Sequence, residues 1–146
     1  MLKSAAGYEL LPHTTDAYIQ ATGSTLEEAF EYAATALFDT ICNVSTISGK
    51  ITERVHAEAP NDIMLLHNWL EALLLKFELE KRVFSGFDVS KISRRENNVI
   101  LEAEVSGEAY DRKKHGAKVE VKAVTLHKME ILPGSPLTII RFILDL

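Results

Sequence analysis

The chain has 146 residues, 47% of them hydrophobic and 25% charged, the make-up of one ordinary globular domain over residues 1–146. With 16 Lys and Arg against 21 Asp and Glu, its net charge of −5 disfavours free-standing binding to a phosphate backbone. The one cysteine, Cys42, excludes an internal disulfide and a multi-cysteine zinc site. The opening Met1–Gly7 lacks a signal-peptide pattern and no apolar run of about 18 residues exists, so a reduced cytoplasmic compartment and no membrane contact are the expectations.

In chain order, Tyr8–Leu11 and Ala17–Ala21 read as two strands flanking a polar turn. Ser24-Thr25-Leu26-Glu27 has the form of a capping box, with Ser24 as the cap. After it, Leu26, Ala29, Phe30, Ala33, Leu37, Phe38 and Ile41 recur at helical spacing, which predicts an amphipathic helix with Glu28, Glu31 and Thr35 facing water and a stop at Asn43. Lys50–His56 is a polar strand near a sheet edge. Asn61 caps a second helix that runs to about Glu80, its broad apolar set interrupted by His67, Asn68, Glu71 and Lys76. His67 is read as a polar residue on the narrow exposed strip of that helix.

Strands follow from Gly86, over Val99–Val105 behind an Asn97-Asn98 hairpin signal, over Lys118–Ala123, and over Leu137–Leu144, the last apolar on both faces. This order predicts an α+β fold of two layers: two amphipathic helices packed on one face of a mixed or largely antiparallel sheet.

P-loop, dinucleotide, nucleophile-elbow and zinc-protease motifs are absent. Cys42, at the end of an apolar stripe, reads as a buried thiol. Three polar clusters remain. His13-Thr14-Thr15-Asp16 lies between two strands, where functional loops tend to sit, and is equally an ordinary turn. Asp145 and Leu146, the latter with its own carboxylate, gather hard oxygens behind the last strand, or form a solvated tail. If that strand lies beside the early ones, Asp16 and Asp145 meet, and a divalent cation would relieve their repulsion. Asp111-Arg112-Lys113-Lys114-His115-Gly116 is a dense basic run, either solvated or a contact for phosphate or an acidic partner. Lys122, pointing with Lys118 and Glu120, reads as a solvent-facing charge.

Taken together, Tyr8-Glu9, His13–Asp16, Gly23–Phe30, Leu65–Glu71, Val121–His127 and Ile143–Leu146 resemble archease, a small family of tRNA-splicing cofactors, over nearly the whole chain. The resemblance implies a non-catalytic partner of an RtcB-type RNA ligase that promotes the ligase's guanylylation and multiple turnover and meets RNA only through it. It also implies a divalent cation (calcium first, magnesium or manganese as alternatives) bound by Asp16, Asp145 and Leu146, with Lys122 as a functional cation beside them and His13 orienting Asp16. Thr15, Ala17 and Leu126 depart from the family's usual residues, which bears on packing around the site. The rival readings are a small metal-dependent hydrolase or phosphotransferase, with His13 or His115 as base, and a chaperone-like interaction module.

Overall fold

The computed structural model describes residues 6–11 and 16–146; His13 and its neighbours Pro12, Thr14 and Thr15 lie outside the described residues. In chain order the elements are β1 (Gly7–Leu11), β2 (Ala17–Gly23), α1 (Leu26–Ile41), β3 (Ile51–Ala59), α2 (Asp62–Glu80), β4 (Arg82–Arg95), β5 (Asn98–Ala109), the short α3 (Arg112–His115), β6 (Ala123–Val124), β7 (Glu130–Leu132) and β8 (Thr138–Asp145). The fold is α+β, with helices packed on antiparallel sheets. The strands divide between two sheets where one was expected. The first runs β1-β2-β8, with β6 and β7 both pairing the far edge of β8; the second runs β3-β5-β4. Alternation tells which face of a strand is buried but not which strand it pairs with, so the division leaves no mark on the sequence.

Helix α1 starts one residue later than the capping box placed it. Thr25, not Ser24, is the N-cap, accepting from the Glu28 N–H at 3.1 Å, while Glu28 reaches back to accept the Ser24 N–H at 2.7 Å. Both registers satisfy the same motif, since Ser24/Glu27 and Thr25/Glu28 overlap. The helix ends at Ile41, with Asn43 opening a 3-10 turn over Val44–Thr46. For α2 the cap is Asn61, as expected, accepting from Met64 N–H at 2.9 Å.

The core lies between the helices and the inner faces of both sheets. Phe38 of α1 meets Phe84 edge-on and stacks on Phe87 of β4, and Trp69 of α2 donates its Nε1–H to the Phe30 carbonyl at 3.0 Å, tying the two helices together. Cys42 is fully buried here, and burial pushes its thiol up to about 11, as befits a structural residue.

Glu31 does not face water. Its Oε2 accepts the Val89 N–H of β4 at 2.8 Å, and Glu27 accepts the Ile92 N–H at 3.2 Å, the two bonds bracketing the bulge between Val89 and Lys91. Strand β4 is a sheet edge, and these carboxylates cap amides that would otherwise be open to another strand. Burial raises the Glu31 pKa, with the Val89 N–H pulling the other way. Glu31→Ala is expected to destabilise the fold by about 1–2 kcal/mol and Glu31→Gln by less, since the amide keeps an acceptor; urea denaturation checks both.

Candidate functional site

Strands β2 and β8 pair antiparallel with Ala17 opposite Leu144 as the last pair, so Asp16, in the bend before β2, and Asp145, the last residue of β8, stand at the same end of the two strands. The carbonyls of Ile143 and Asp145 point the other way, accepting from Thr125 and Lys122 N–H groups at 3.2 and 2.7 Å. Ala17 and Leu144 are buried, and alternation turns Asp145 to the other face of the sheet, while Asp16 lies in the bend just before β2. Both are half-buried, and neither carboxylate has a hydrogen-bond or ion-pair partner among the described residues.

The chain's own contacts hold this corner in place. His67 of α2, read from the sequence as part of the helix's exposed strip, is instead half-buried and bonds through Nε2 to the Val124 carbonyl at 3.1 Å; Val124 pairs Leu144, and Ala123 pairs Asp145. Lys122, one residue before, is pinned by its N–H to Asp145 and is exposed, its ammonium without an acidic partner among the described residues. The stretch around it is not the strand that alternation predicted. Lys118 and Val119 donate their N–H groups to the Ile41 and Thr40 carbonyls at the end of α1, so the segment runs extended against a helix terminus.

The donor set suits a hard cation: two carboxylates without a partner among the described residues, with Leu146 adjoining. Its count is low, since among the described residues no three His, Cys, Asp or Glu side chains form a group that could hold a metal ion. Backbone oxygen, that of Leu146 included, or water would complete the shell, an arrangement calcium tolerates and magnesium often keeps.

Asp16 and Leu146 also line a groove of about 460 Å³ between β1, β2 and the end of α1; Asp145, turned to the other face, does not. Leu10 and Val119 give the groove apolar, exposed walls. A polar knot that sequence reading missed closes one side. Asp39 accepts from Tyr8 Oη at 3.1 Å, from Lys118 Nζ at 3.1 Å and from Val44 N–H at 3.3 Å. Burial works against the Asp39 charge, but the bonds from Lys118, Val44 and Tyr8 outweigh it and hold the carboxyl below its usual range. Burial and the Asp39 charge together push the Tyr8 phenol up to about 12. Its members stand 31 and 79 residues apart, with no local pattern to join them.

A second missed cluster anchors α3. His115 is buried, its Nδ1 accepting the Asp111 N–H at 2.9 Å and its Nε2 meeting Glu108 Oε2 at 2.8 Å, which fixes the Nε2–H tautomer and leaves neither nitrogen free to act as a base. Glu108 also accepts from Lys114 Nζ at 2.7 Å and Ser48 N–H at 2.8 Å. Led by the Lys114 bond, these donors hold its carboxyl far below the ordinary range. A depressed carboxyl adds stability above its unfolded pKa and loses it as pH falls. Glu108→Gln is thus expected to be less stable than the parent at neutral pH, the gap narrowing below about pH 4.3; thermal melts across that range test this.

Among the described residues no helix is long and apolar enough to cross a membrane. The family model described as the Archease protein family matches residues 8–146. Protein archease of Pyrococcus abyssi (strain GE5 / Orsay) is 44% identical over 124 residues, covering 85% of this chain and 87% of its own. The solution structure of protein 1598 of Methanobacterium thermoautotrophicum superposes with a TM-score of 0.82 at 35% identity, covering 96% of this chain and 99% of that one. A crystal structure described as an archease, possible chaperone, from Thermotoga maritima shares the fold at a TM-score of 0.55 and 18% identity, covering 100% and 98%. With a family model spanning nearly its full length and relatives well above 30% identity, this chain belongs to the archease family.

Proposed function

We propose that this protein is a non-catalytic accessory factor that activates an RtcB-type tRNA-splicing RNA ligase from the cytoplasm, using a divalent cation held by Asp16, Asp145 and Leu146. The observation that carries the reading is the β2–β8 register, which brings Asp16 and Asp145, both without a partner among the described residues, to the same end of the two strands, where Lys122 is pinned alongside. A bound divalent cation supplies positive charge for phosphate oxygens at the partner's nucleotide pocket. The chain's own part is positional. Asp145 ends β8 and Asp16 directly precedes the neighbouring β2, and Lys122 projects a cation from a backbone bonded to the Asp145 carbonyl. Charge placed in advance in this way favours a reaction in which negative charge shifts between phosphate oxygens, without reorganisation at the moment of reaction. His13 is proposed to orient Asp16.

A guanylylation assay on the ligase tests this. Asp16→Ala and Asp145→Ala are each expected to lower the stimulation about tenfold or more, the scale of losing a metal-site group, and chelation to do the same. Undiminished stimulation by both variants defeats the reading. The isolated protein is expected to turn over no phosphate ester or nucleotide; metal-dependent turnover would favour a hydrolase instead.

The exposed Leu10, at 72%, and Leu79, at 77%, favour a second reading as an interaction module of the chaperone kind. That module would be indifferent to chelation and to Asp145→Ala.

A further inference from the structure

We propose that the tip formed by Arg112 and Lys113 is an electrostatic docking point for an acidic protein surface, and that it guides the partner served by the Asp16–Asp145 corner; this rests on the accessory-factor reading. The chain carries −5 overall, yet Arg112, Lys113, Lys114 and Lys118 stand within one short segment. Lys114 is paired with Glu108 at 2.7 Å and Lys118 with Asp39 at 3.1 Å. Arg112 and Lys113 are exposed and have no acidic partner among the described residues, and the neighbouring Asp111 uses its Oδ1 to accept the Lys113 N–H.

The tip is firmly anchored. Beneath it His115 is buried and bonded at both nitrogens, Tyr110 Oη donates to the Gly116 carbonyl at 2.6 Å, and Asn43 N–H donates to the His115 carbonyl at 2.9 Å. Cations on a fixed backbone lose less freedom on binding than cations on a loose loop. The same segment continues through Lys118 and Val119, which line the groove beside Asp16, to Lys122, bonded to Asp145. A partner that covers the acidic corner and groove is thereby led toward the tip.

The local chemistry favours a protein over RNA. The Tyr110 ring is stacked on His115 and lies edge-on to Phe77, so it offers no platform for a base. With Lys114 and Lys118 engaged by Glu108 and Asp39, the tip offers two unpaired cations rather than the row a polyanion needs, and a compact carboxylate patch matches the Arg112 fork.

The test compares the parent with Arg112→Glu/Lys113→Glu and with Arg112→Gln/Lys113→Gln, measuring association with the RtcB-type ligase at roughly 0.05 and 0.5 M salt. Charge reversal is expected to weaken binding about tenfold at low salt, mainly through the on-rate, and the neutral pair less, with the differences collapsing at high salt. Saturating amounts of either variant should restore full stimulation of guanylylation, since the acidic corner is untouched. The neutral pair keeps the test open should the reversed pair fail to fold. Equal binding by all three proteins, with the parent still stimulating, overturns the tip and leaves the accessory reading standing. No binding or stimulation by the parent overturns both. Loss of binding to an RNA oligonucleotide with ligase binding unchanged overturns the tip by assigning it to nucleic acid.

Discussion

Trp69→Ala is expected to remove about 3–5 kcal/mol of stability, read as a lower denaturant midpoint at an unchanged slope. The side chain is completely buried, the largest in the core, and packs edge-on to Phe87 at 6.3 Å between ring centres. It sits where α1, α2 and β4 converge, and its indole N–H spans the helices to the Phe30 carbonyl. Neighbours drawn from three elements cannot all collapse into the void, so the cost lies toward the upper part of that range. Against a total stability of about 5–15 kcal/mol, this leaves a marginal protein. Trp69→Phe separates the two contributions: it keeps most of the volume and loses the bond, for about 1 kcal/mol from the bond itself.

Gly107→Ala is the second large effect, expected to cost about 3 kcal/mol or more although it adds a single methyl group. Gly107 lies on β5, the central strand of the second sheet, opposite Ile51 on one side and Phe84 on the other. A Cβ there would stand 1.9 Å from the Val83 carbonyl oxygen and 2.7 Å from the Phe84 Cα, both backbone atoms of β4 beside its bulge. Relief requires the strand itself to move. Gly86→Ala is the control. Its Cβ would meet the Ser106 hydroxyl at 2.2 Å, but a hydroxyl can rotate away, so a change within about 1 kcal/mol is expected. Parallel melts of the two variants check the contrast.

What the sequence disclosed follows the range over which each interaction acts. Asn61 and the stripe from Leu65 to Leu74 are local signals, and α2 stands where they placed it. The neighbourhood of the last strand is the one topological condition set for bringing Asp16 and Asp145 together, and β2 does pair β8. Other features depend on what lies across space. Val119 and Val121 alternate like a strand, yet the backbone there bonds a helix end. Glu31 reads as facing water and Glu27 as part of the capping box, and only the approach of β4 turns them into edge caps. His115 sits in a basic run that looks solvated until Glu108, a neighbour in space from the end of β5, arrives to bury it. The knot of Tyr8, Asp39 and Lys118 had no signal at all.

The place of β8, between β2 on one side and β6 and β7 on the other, makes the first sheet a late event in folding. The hairpin of β1 and β2 has no surface to rest on along its inner edge until residues more than a hundred positions onward have been made, and closing so long a loop is slow. Until then, the strand that begins beside Asp16 offers a bare row of amides and carbonyls to any passing chain. A nascent molecule stalled before Thr138 would present an unfinished sheet rather than a smaller working protein, and Asp145 would join the end of β2 only once β8 has been made.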